Sequence, residues 1–457
     1  MEYYSRWTTK DELEKYLTKV NKGTKLEKSG IPVMYDKDTM YIDSSEAHTM
    51  VIGATGSGKS QTISLPQIKL AALAGESLII NDINGELYKC TSKSLENENY
   101  NIKVINLNSP NDGNNYNPLY LPYLLYKEGN KDKSLELIEK LGYYLFNDPK
   151  DKSDSFWLNS TIDYFTGLTL YLFENGTEEE INLKSIYNIS AEGEELIDGK
   201  RKIENILNNQ DKNSSIYIML SGTVNAPLET RGGIIATFNQ KLIPYITKEN
   251  LSNMLSLNDI DFKTIQNNKT AIFIINKNNE LVSNIVPLFI DQVIQSVDIY
   301  GNKKKRLNII LDEFSRLLPF KDLSFLMNFC RSINIRITVI LNSYVELINT
   351  YGKEESEIIK YCFSNIIYLI SNDDYTLLEI SKLCGNTLDK KTNKPIPLIS
   401  KEQLKTLKQF ETIILKMRFM PIKTNLIPDY KIDWSLNNEI TETLPKRTIK
   451  EIKIFNI

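Results

Sequence analysis

Histidine and cysteine, which supply many metal and redox sites, are nearly absent from this sequence. Its 457 residues include one histidine and four cysteines, namely His48, Cys90, Cys330, Cys362 and Cys384. Since no two cysteines lie close together, their spacing indicates neither a zinc knuckle nor a disulfide framework. The histidine lies just before an apolar segment, where we expect packing or a place at the edge of a nucleotide rather than catalysis.

Long apolar segments are also missing. No run approaches the roughly 18 apolar residues that a membrane-spanning helix needs, and the first residues do not have the pattern of a signal peptide. Apolar residues make up 41% of the chain and charged residues 25%, which is ordinary for a large globular enzyme. We therefore expect a cytoplasmic protein of two or three domains.

A glycine-rich segment has the pattern of a phosphate-binding loop. Residues 53–60 read Gly-Ala-Thr-Gly-Ser-Gly-Lys-Ser, between a predicted strand and a helix predicted to begin near Lys59. Backbone N–H groups and the helix N-terminus would face a polyphosphate. Lys59 would reach the β- and γ-phosphates of ATP, and the Ser60 hydroxyl would bind Mg²⁺. The residues expected to contact the nucleotide are Gly53, Ala54, Thr55, Gly56, Ser57, Gly58, Lys59, Ser60 and Gln61.

An acidic pair, Asp312-Glu313, follows a strongly apolar segment. Four of the five residues at 307–311 are Leu or Ile, which fits a strand buried on both faces of a parallel sheet. The carboxyl ends of such strands border the ligand crevice of open α/β sheets. There Asp312 would hold Mg²⁺ and Glu313 would be the general base for the attacking water. A strand ending in a polar turn has the same pattern, but the phosphate loop favours ATP hydrolysis.

Negative charge is concentrated in one segment with helical periodicity. Residues 123–215 contain 11 Lys or Arg and 18 Asp or Glu, a net charge of −7, whereas the whole chain carries −3. Elsewhere, apolar runs alternate with helical patterns, which predicts an α/β fold with a mainly parallel sheet. We expect a core formed by residues 1–122 and 216–457, with an inserted all-α domain at 123–215. This insertion is either a passive lid or a protein-docking surface.

Motifs along nearly the whole chain resemble those of the type IV coupling proteins of conjugation and type IV secretion, the TraG/TraD-like family. After the phosphate loop, residues 81–88 read Asn-Asp-Ile-Asn-Gly-Glu-Leu-Tyr, where the family typically has Asp-Pro-Lys-Gly-Glu-Leu-Tyr. Further likenesses follow in the family's order at Tyr116-Asn117-Pro118-Leu119, Glu229-Thr230-Arg231, Asp312-Glu313-Phe314, Arg331-Ser332, and Asn342-Ser343 with Glu346-Leu347. This series is more specific than a phosphate loop alone.

The resemblance implies a RecA-like P-loop ATPase, usually a homo-hexamer, that uses ATP and Mg²⁺. Such a protein recruits a DNA–relaxase or effector substrate and drives DNA transfer through a type IV secretion channel. Its implied partners are single- or double-stranded DNA, a relaxase or effector bound by the all-α domain, and a membrane-anchoring channel subunit. By the same resemblance, Arg331 would reach the nucleotide of a neighbouring subunit, and Asn342 would sense the γ-phosphate.

Three departures from the family pattern bear on these expectations. Asn342 stands where the family has a glutamine, which is one methylene longer, and Asn84 replaces a lysine. The transmembrane segment that the family has near its N-terminus is not found in this sequence. We therefore expect a partner to recruit the protein to the inner face of the cell membrane.

Several alternatives remain open from the sequence. A cytosolic DNA translocase of the FtsK/HerA type would use the same ATP site without a relaxase partner. An ATP-dependent adaptor for secreted proteins would hydrolyse ATP regardless of DNA. The basic run at 303–306 is either a solvated turn or a DNA-facing cluster. Asp82 and Glu86 either approach the γ-phosphate or cap a helix.

Overall fold

The computed structural model describes residues 4–148, 154–277 and 283–457. They form two compact units, each built from separate stretches of the chain. The first unit comprises Met1–Lys103, Lys263–Ile275 and Val297–Thr443. The second comprises Val104–Phe262, Asn276–Ser296 and Leu444–Ile457.

The strands, numbered along the chain, are short and mostly apolar. They are β1 (Thr18–Val20), β2 (Ile31–Asp36), β3 (Thr39–Asp43), β4 (Thr49–Gly53), β5 (Ser77–Asn81), β6 (Asn101–Asn106), β7 (Leu196–Ile197), β8 (Lys200–Arg201), β9 (Thr270–Ile275), β10 (Leu307–Leu311), β11 (Ile335–Leu341), β12 (Asn365–Ile370), β13 (Asn386–Leu388), β14 (Pro395–Pro397), β15 (Glu411–Lys416) and β16 (Ile422–Asn425).

The α-helices are numbered in the same way. They are α1 (Lys10–Glu14), α2 (Leu65–Ala74), α3 (Glu86–Asn97), α4 (Tyr120–Lys127), α5 (Lys131–Phe146), α6 (Ser155–Asn175), α7 (Leu183–Gly193), α8 (Lys202–Asn208), α9 (Ser215–Val224), α10 (Leu228–Ile246), α11 (Glu249–Met254), α12 (Ile285–Tyr300), α13 (Leu323–Ser332), α14 (Tyr344–Tyr351), α15 (Lys353–Tyr361), α16 (Asp374–Cys384) and α17 (Lys401–Lys405). Among the described helices, none combines the length and the apolar character that crossing a bilayer requires.

The main sheet of the first unit has the strand order β16-β15-β12-β4-β11-β10-β5-β9-β6. The pairs from β12 to β9 are parallel, whereas β15 and β16 run antiparallel at one edge. Every residue of β4, β5, β9, β10 and β11 is buried, as expected for parallel strands that are covered on both faces. The predicted α/β class with a mainly parallel sheet is confirmed.

The register of the central strands brings their carboxyl ends to one edge of this sheet. Leu311 of β10 pairs with Asn81 of β5 and with Val339 of β11. Leu341 of β11 pairs with Ile52 of β4. The phosphate loop, the acidic pair and the segment after β11 therefore leave the sheet side by side, at the edge where α/β sheets bind ligands.

Buried arginines hold a small antiparallel sheet, ordered β1-β3-β2, at the opposite edge. Arg306, which is 3% exposed and directly precedes β10, donates to the carbonyls of Ser29 (3.1 Å) and Ser44 (3.0 Å). Arg336 of β11 donates to the Asp43 carbonyl at 3.1 Å. The last residue of the basic run is therefore structural, while the three lysines before it are exposed.

The second unit is mainly helical, and α6 lies among α5, α9 and α10. Gly167 of α6 allows α9 to approach closely, because a Cβ there would lie 2.6 Å from Cγ of Leu220. Phe165 and Leu172 of α6 are fully buried. The segment 123–215 lies within this unit, which continues through α9 and α10 because these helices pack on α6.

Candidate nucleotide-binding site

The phosphate loop connects β4 to α2 at the carboxyl edge of the main sheet. Gly56 and Gly58 have φ angles of 79° and 93°, a region that favours glycine. The Ala54 N–H donates to the Ile370 carbonyl at 2.8 Å and ties the start of the loop to β12. Beyond the loop, a π-helical turn at Ser60–Ser64 runs directly into α2. The helix N-terminus therefore faces the loop, which is an arrangement that binds phosphate.

An aromatic ring from a distant part of the chain packs on this loop. A Cβ at Gly58 would lie only 2.8 Å from Cε1 of the half-buried Phe410. The Phe410 carbonyl accepts the N–H of Leu426 at 3.0 Å, which fixes the segment that carries the ring. Gly58 is thus required both for its backbone angle and for the space that the ring occupies. No local pattern in the sequence marks Phe410, because the contact depends on how β15 is placed in the sheet.

Lys59 lies at the base of the loop and is 8% exposed. Its ammonium group donates to the carbonyls of Gly53 and Ala54 (3.3 Å for the second) and to Oδ1 of Asn342 at 2.8 Å. Burial lowers the pKa of Lys59, against the opposing effect of the acidic pair and Glu346. All three hydrogen-bond partners are oxygen atoms, which phosphate oxygens can replace.

Two carboxyl groups near this edge have raised pKa values. Burial and then the neighbouring Glu313 raise the pKa of Asp312 to about 6, while Lys59 acts in the opposite direction. Burial also raises the pKa of Asp82 to about 6, although its carboxylate accepts the Tyr88 N–H at 2.8 Å. Asp82 therefore caps the first turn of α3. Asp312 is an enclosed carboxyl group, and a nearby cation would stabilise its ionised form.

Glu313 begins a short turn that is anchored on α14. Its φ is 49°, and its Oε2 lies 2.7 Å from Nε of Arg316. The intervening Phe314 stacks on Tyr351, with ring centroids 5.9 Å apart. The Glu313 carboxylate is thus presented by a packed turn rather than by a free loop.

Asn342, the first residue after β11, is held by Glu346 in the first turn of α14. The side-chain Nδ2 of Asn342 donates to Oε1 of Glu346 at 2.9 Å, and its backbone N–H donates to Oε2 at 3.1 Å. The Ser315 hydroxyl donates to the same Oε2 at 2.8 Å. In the sequence, Glu346 stands out only within a family-like motif. Its spacing of four residues from Asn342 was the available signal for this contact.

The residues at this edge fit a nucleotide and Mg²⁺. Ser57 Oγ and Gln61 Oε1 are buried and have no hydrogen-bond partner within the described part of the chain. Ser60 and Asp312 supply the hard oxygen donors that Mg²⁺ prefers. The described residues contain no group of three or more His, Cys, Asp or Glu suited to a metal. Because Ser60 and Asp312 fill only part of the octahedral shell of Mg²⁺, a cation at this site would also bind phosphate and water oxygens.

Arg331 is not brought to the phosphate loop of its own chain. Arg331 is exposed in the last turn of α13, beside the amino end of β11. The parallel strands run from that end toward the edge that carries the loop, so Arg331 lies at the opposite edge. Asn84 is exposed in the turn between β5 and α3.

His48 is a packing residue. Its Nε2 lies 2.8 Å from the Met327 carbonyl, and its Nδ1 accepts the Ile337 N–H at 2.9 Å. These two contacts place the ring proton on Nε2, and burial lowers the pKa of His48 to about 4. The alternative role at the edge of a nucleotide is not favoured, because the ring lies before β4 rather than after it.

Comparisons with solved structures identify this fold in conjugation proteins. The bacterial conjugative coupling protein TrwBdeltaN70, in a trigonal form with sulphate, is 14% identical, with a TM-score of 0.69 over 97% of this chain and 98% of that chain. The plasmid coupling protein TrwB in complex with ADPNP is also 14% identical, with a TM-score of 0.70 over 98% of each chain. VirB4 of Thermoanaerobacter pseudethanolicus is 14% identical, with a TM-score of 0.52 over 89% of this chain and 97% of that chain. The expected RecA-like core with a helical domain is confirmed as the fold.

Sequence comparison is consistent with these structural likenesses. A search of curated proteins found no match. A family model described as Type IV secretory system Conjugative DNA transfer matches residues 6–451, nearly the whole chain. The resemblance seen in the sequence motifs is thereby confirmed, and the chain belongs to the family of conjugative DNA transfer proteins of type IV secretory systems.

Proposed function

We propose that this chain is an ATP-hydrolysing coupling protein that binds ATP and Mg²⁺ at the phosphate loop and drives conjugative DNA transfer. The observation that carries the proposal is the convergence of Lys59, Asp312, Glu313 and Asn342 at one sheet edge. TrwB, which shares the fold, has been solved with the non-hydrolysable analogue ADPNP and with ADP and Mg²⁺. Membership of the family supports DNA as the transferred substrate.

Each residue at this edge has a distinct role in the proposal. Lys59 exchanges its carbonyl partners for the β- and γ-phosphates, and Ser60 and Asp312 hold the cation. When bound, Mg²⁺ stabilises negative charge on the phosphate oxygens. Glu313, held in place by Arg316, accepts a proton from the attacking water.

A homo-hexamer in which Arg331 acts on the nucleotide of the neighbouring subunit is part of the proposal. Arg331 is exposed and lies at the edge opposite its own phosphate loop, so it is available to another copy of the chain. A guanidinium group supplied by a neighbour stabilises the charge that develops on the γ-phosphoryl oxygens. Hydrolysis would then depend on assembly.

We assign substrate capture to the helical domain around residues 123–215. Its net charge of −7 makes it a poor DNA surface and a better protein-docking surface. Within it, the β7–β8 hairpin exposes Leu196 (70%) and Ile197 (48%). Replacement of both by serine should reduce co-purification of a relaxase or effector without changing ATPase activity. Leu383→Ser, at a 51% exposed position on α16 of the other unit, is the matched control.

ATPase assays with single- and double-stranded DNA, across protein concentration, test the proposed activity. We expect hydrolysis that is stimulated by DNA and rises with protein concentration, and no hydrolysis by Lys59→Ala. Activity indifferent to DNA would favour the adaptor for secreted proteins. DNA-stimulated activity in a protein that captures no relaxase or effector would favour the FtsK/HerA-type translocase.

We also propose that a channel subunit recruits the protein from the cytoplasm to the inner face of the cell membrane. Cell fractionation should place the protein in the membrane fraction only when the other transfer genes are present. Membrane association of the protein expressed alone would contradict this recruitment.

A further inference from the structure

Two charged groups contact opposite ends of the same side-chain amide. Asn342 Oδ1 accepts from Lys59 at 2.8 Å, and Asn342 Nδ2 donates to Glu346 Oε1 at 2.9 Å. An ammonium group can only donate hydrogen bonds, and a carboxylate can only accept them. Together these partners permit one orientation of the amide, with its oxygen toward Lys59.

The Glu346 carboxylate is itself firmly placed. Its Oε2 accepts the backbone N–H of Asn342 at 3.1 Å and the Ser315 hydroxyl at 2.8 Å. The Thr350 hydroxyl, one turn further along α14, lies 3.3 Å from the Ser315 carbonyl. The position of Glu346 in the first turn of α14 also favours its negative charge. Glu346 therefore joins Asn342 to the turn that follows Glu313.

We propose that Glu346 is a positioning residue for ATP hydrolysis, which fixes the Asn342 amide with its oxygen facing Lys59. This inference rests on the proposed ATPase function. An amide held in this way accepts a hydrogen bond from Lys59 or from the attacking water. Its N–H groups lie at the Glu346 end of the amide rather than toward Lys59, whereas a sensing role for Asn342 would require a donor that faces the γ-phosphate.

Glutamine at position 346 is the decisive substitution, because it keeps the size of the side chain but can donate as well as accept. Once Lys59 has turned to the phosphates of a bound nucleotide, the Asn342 amide would then be free to adopt either orientation. We expect Glu346→Gln to lower kcat about tenfold, as for the loss of one charge-assisted hydrogen bond, with KM for ATP nearly unchanged. Asn342→Ala should lower kcat similarly, and the double variant should be no slower than Asn342→Ala alone.

A purely structural role for Glu346 predicts a different result. A residue that only caps α14 would lower the thermal midpoint, and its effect on kcat would multiply with that of Asn342→Ala. The inference would be overturned by a double variant whose kcat falls by the product of the two single effects. An unchanged kcat in Glu346→Gln would overturn it as well. Glu354→Gln, an exposed position in the first turn of α15, is the matched control and should behave like the wild type.

The same assay separates this inference from the proposed function. A wild-type protein that does not hydrolyse ATP would overturn the proposed function itself. An active wild type with an equally active Glu346→Gln variant would overturn only the role of Glu346.

Discussion

Replacement of Asp312 by asparagine should stabilise the nucleotide-free protein at alkaline pH while removing the carboxylate assigned to Mg²⁺. The pKa of Asp312 is raised from 3.8 to about 6, first by burial and then by Glu313. At about 1.4 kcal/mol per pKa unit, this difference corresponds to about 3 kcal/mol of stability. Stability is therefore lost at this position to a charged group that we propose as a ligand of Mg²⁺.

The sign of the pH dependence follows from the direction of the pKa change. Because the folded protein holds the Asp312 proton more tightly than the unfolded chain, ionisation destabilises the fold. This destabilisation is absent below about pH 4, where Asp312 is protonated in both the folded and the unfolded state. It is complete above about pH 6. Asparagine has no such cost, so the advantage of Asp312→Asn should appear between these values and then level off.

Thermal midpoints followed by circular dichroism at about pH 4.5 and about pH 8 provide the test. Midpoints are preferable to free energies of unfolding, because a chain with two compact units need not unfold in a single step. Asp312→Asn should melt above the wild type at the higher pH and close to it at the lower. Asp38→Asn, at an exposed position between β2 and β3, is the matched control. An Asp312→Asn protein that melts below the wild type at pH 8 would refute the reasoning.

Three further predictions concern the phosphate loop and the subunit contact. Lys59→Ala should lower both ATP affinity and turnover, whereas Glu313→Gln should bind ATP and hydrolyse it slowly. Titration with an ATP analogue and measurement of phosphate release distinguish the two variants. Normal hydrolysis by Glu313→Gln would remove the role of Glu313 as general base. Gly58→Ala should weaken nucleotide binding in titrations, and Phe410→Ala should restore only part of the affinity, because the φ of 93° remains unfavourable for alanine. Arg331→Ala should bind ATP but hydrolyse it about 10³-fold more slowly. Mixing it with Lys59→Ala protein should restore some activity, and no recovery in co-assembled subunits would exclude action between subunits.

Features that several adjacent residues share could be predicted from the sequence. The apolar run at Leu307–Leu311 predicted a strand buried on both faces, and all five residues are buried. The phosphate loop was equally clear, because its glycines, lysine and serine lie within eight consecutive positions. Parallel pairing then brings the ends of these strands to one edge, so the proximity of Lys59 to Asp312 and Glu313 was predictable in outline.

Contacts that depend on the burial of a single residue were not predictable in this way. The basic run at 303–306 reads as four equivalent charges, yet Arg306 alone is buried. Its guanidinium group donates to the Ser29 and Ser44 carbonyls. Phe410 reaches Gly58 only because β15 joins the sheet next to β12. Neither the burial of Arg306 nor the contact of Phe410 with Gly58 leaves a pattern in the neighbouring sequence.

Asn342 shows a more specific limit of prediction from sequence. A side-chain amide carries a donor at one end and an acceptor at the other, so its presence at a position does not determine its chemistry. Here Lys59 and Glu346 together select the orientation in which the oxygen faces the phosphate loop. A glutamine in place of Glu346 would impose no such selection. The shorter amide of Asn342 and the carboxylate of Glu346 therefore have to be interpreted as a pair, because the second residue helps to determine which end of the first faces the phosphate loop.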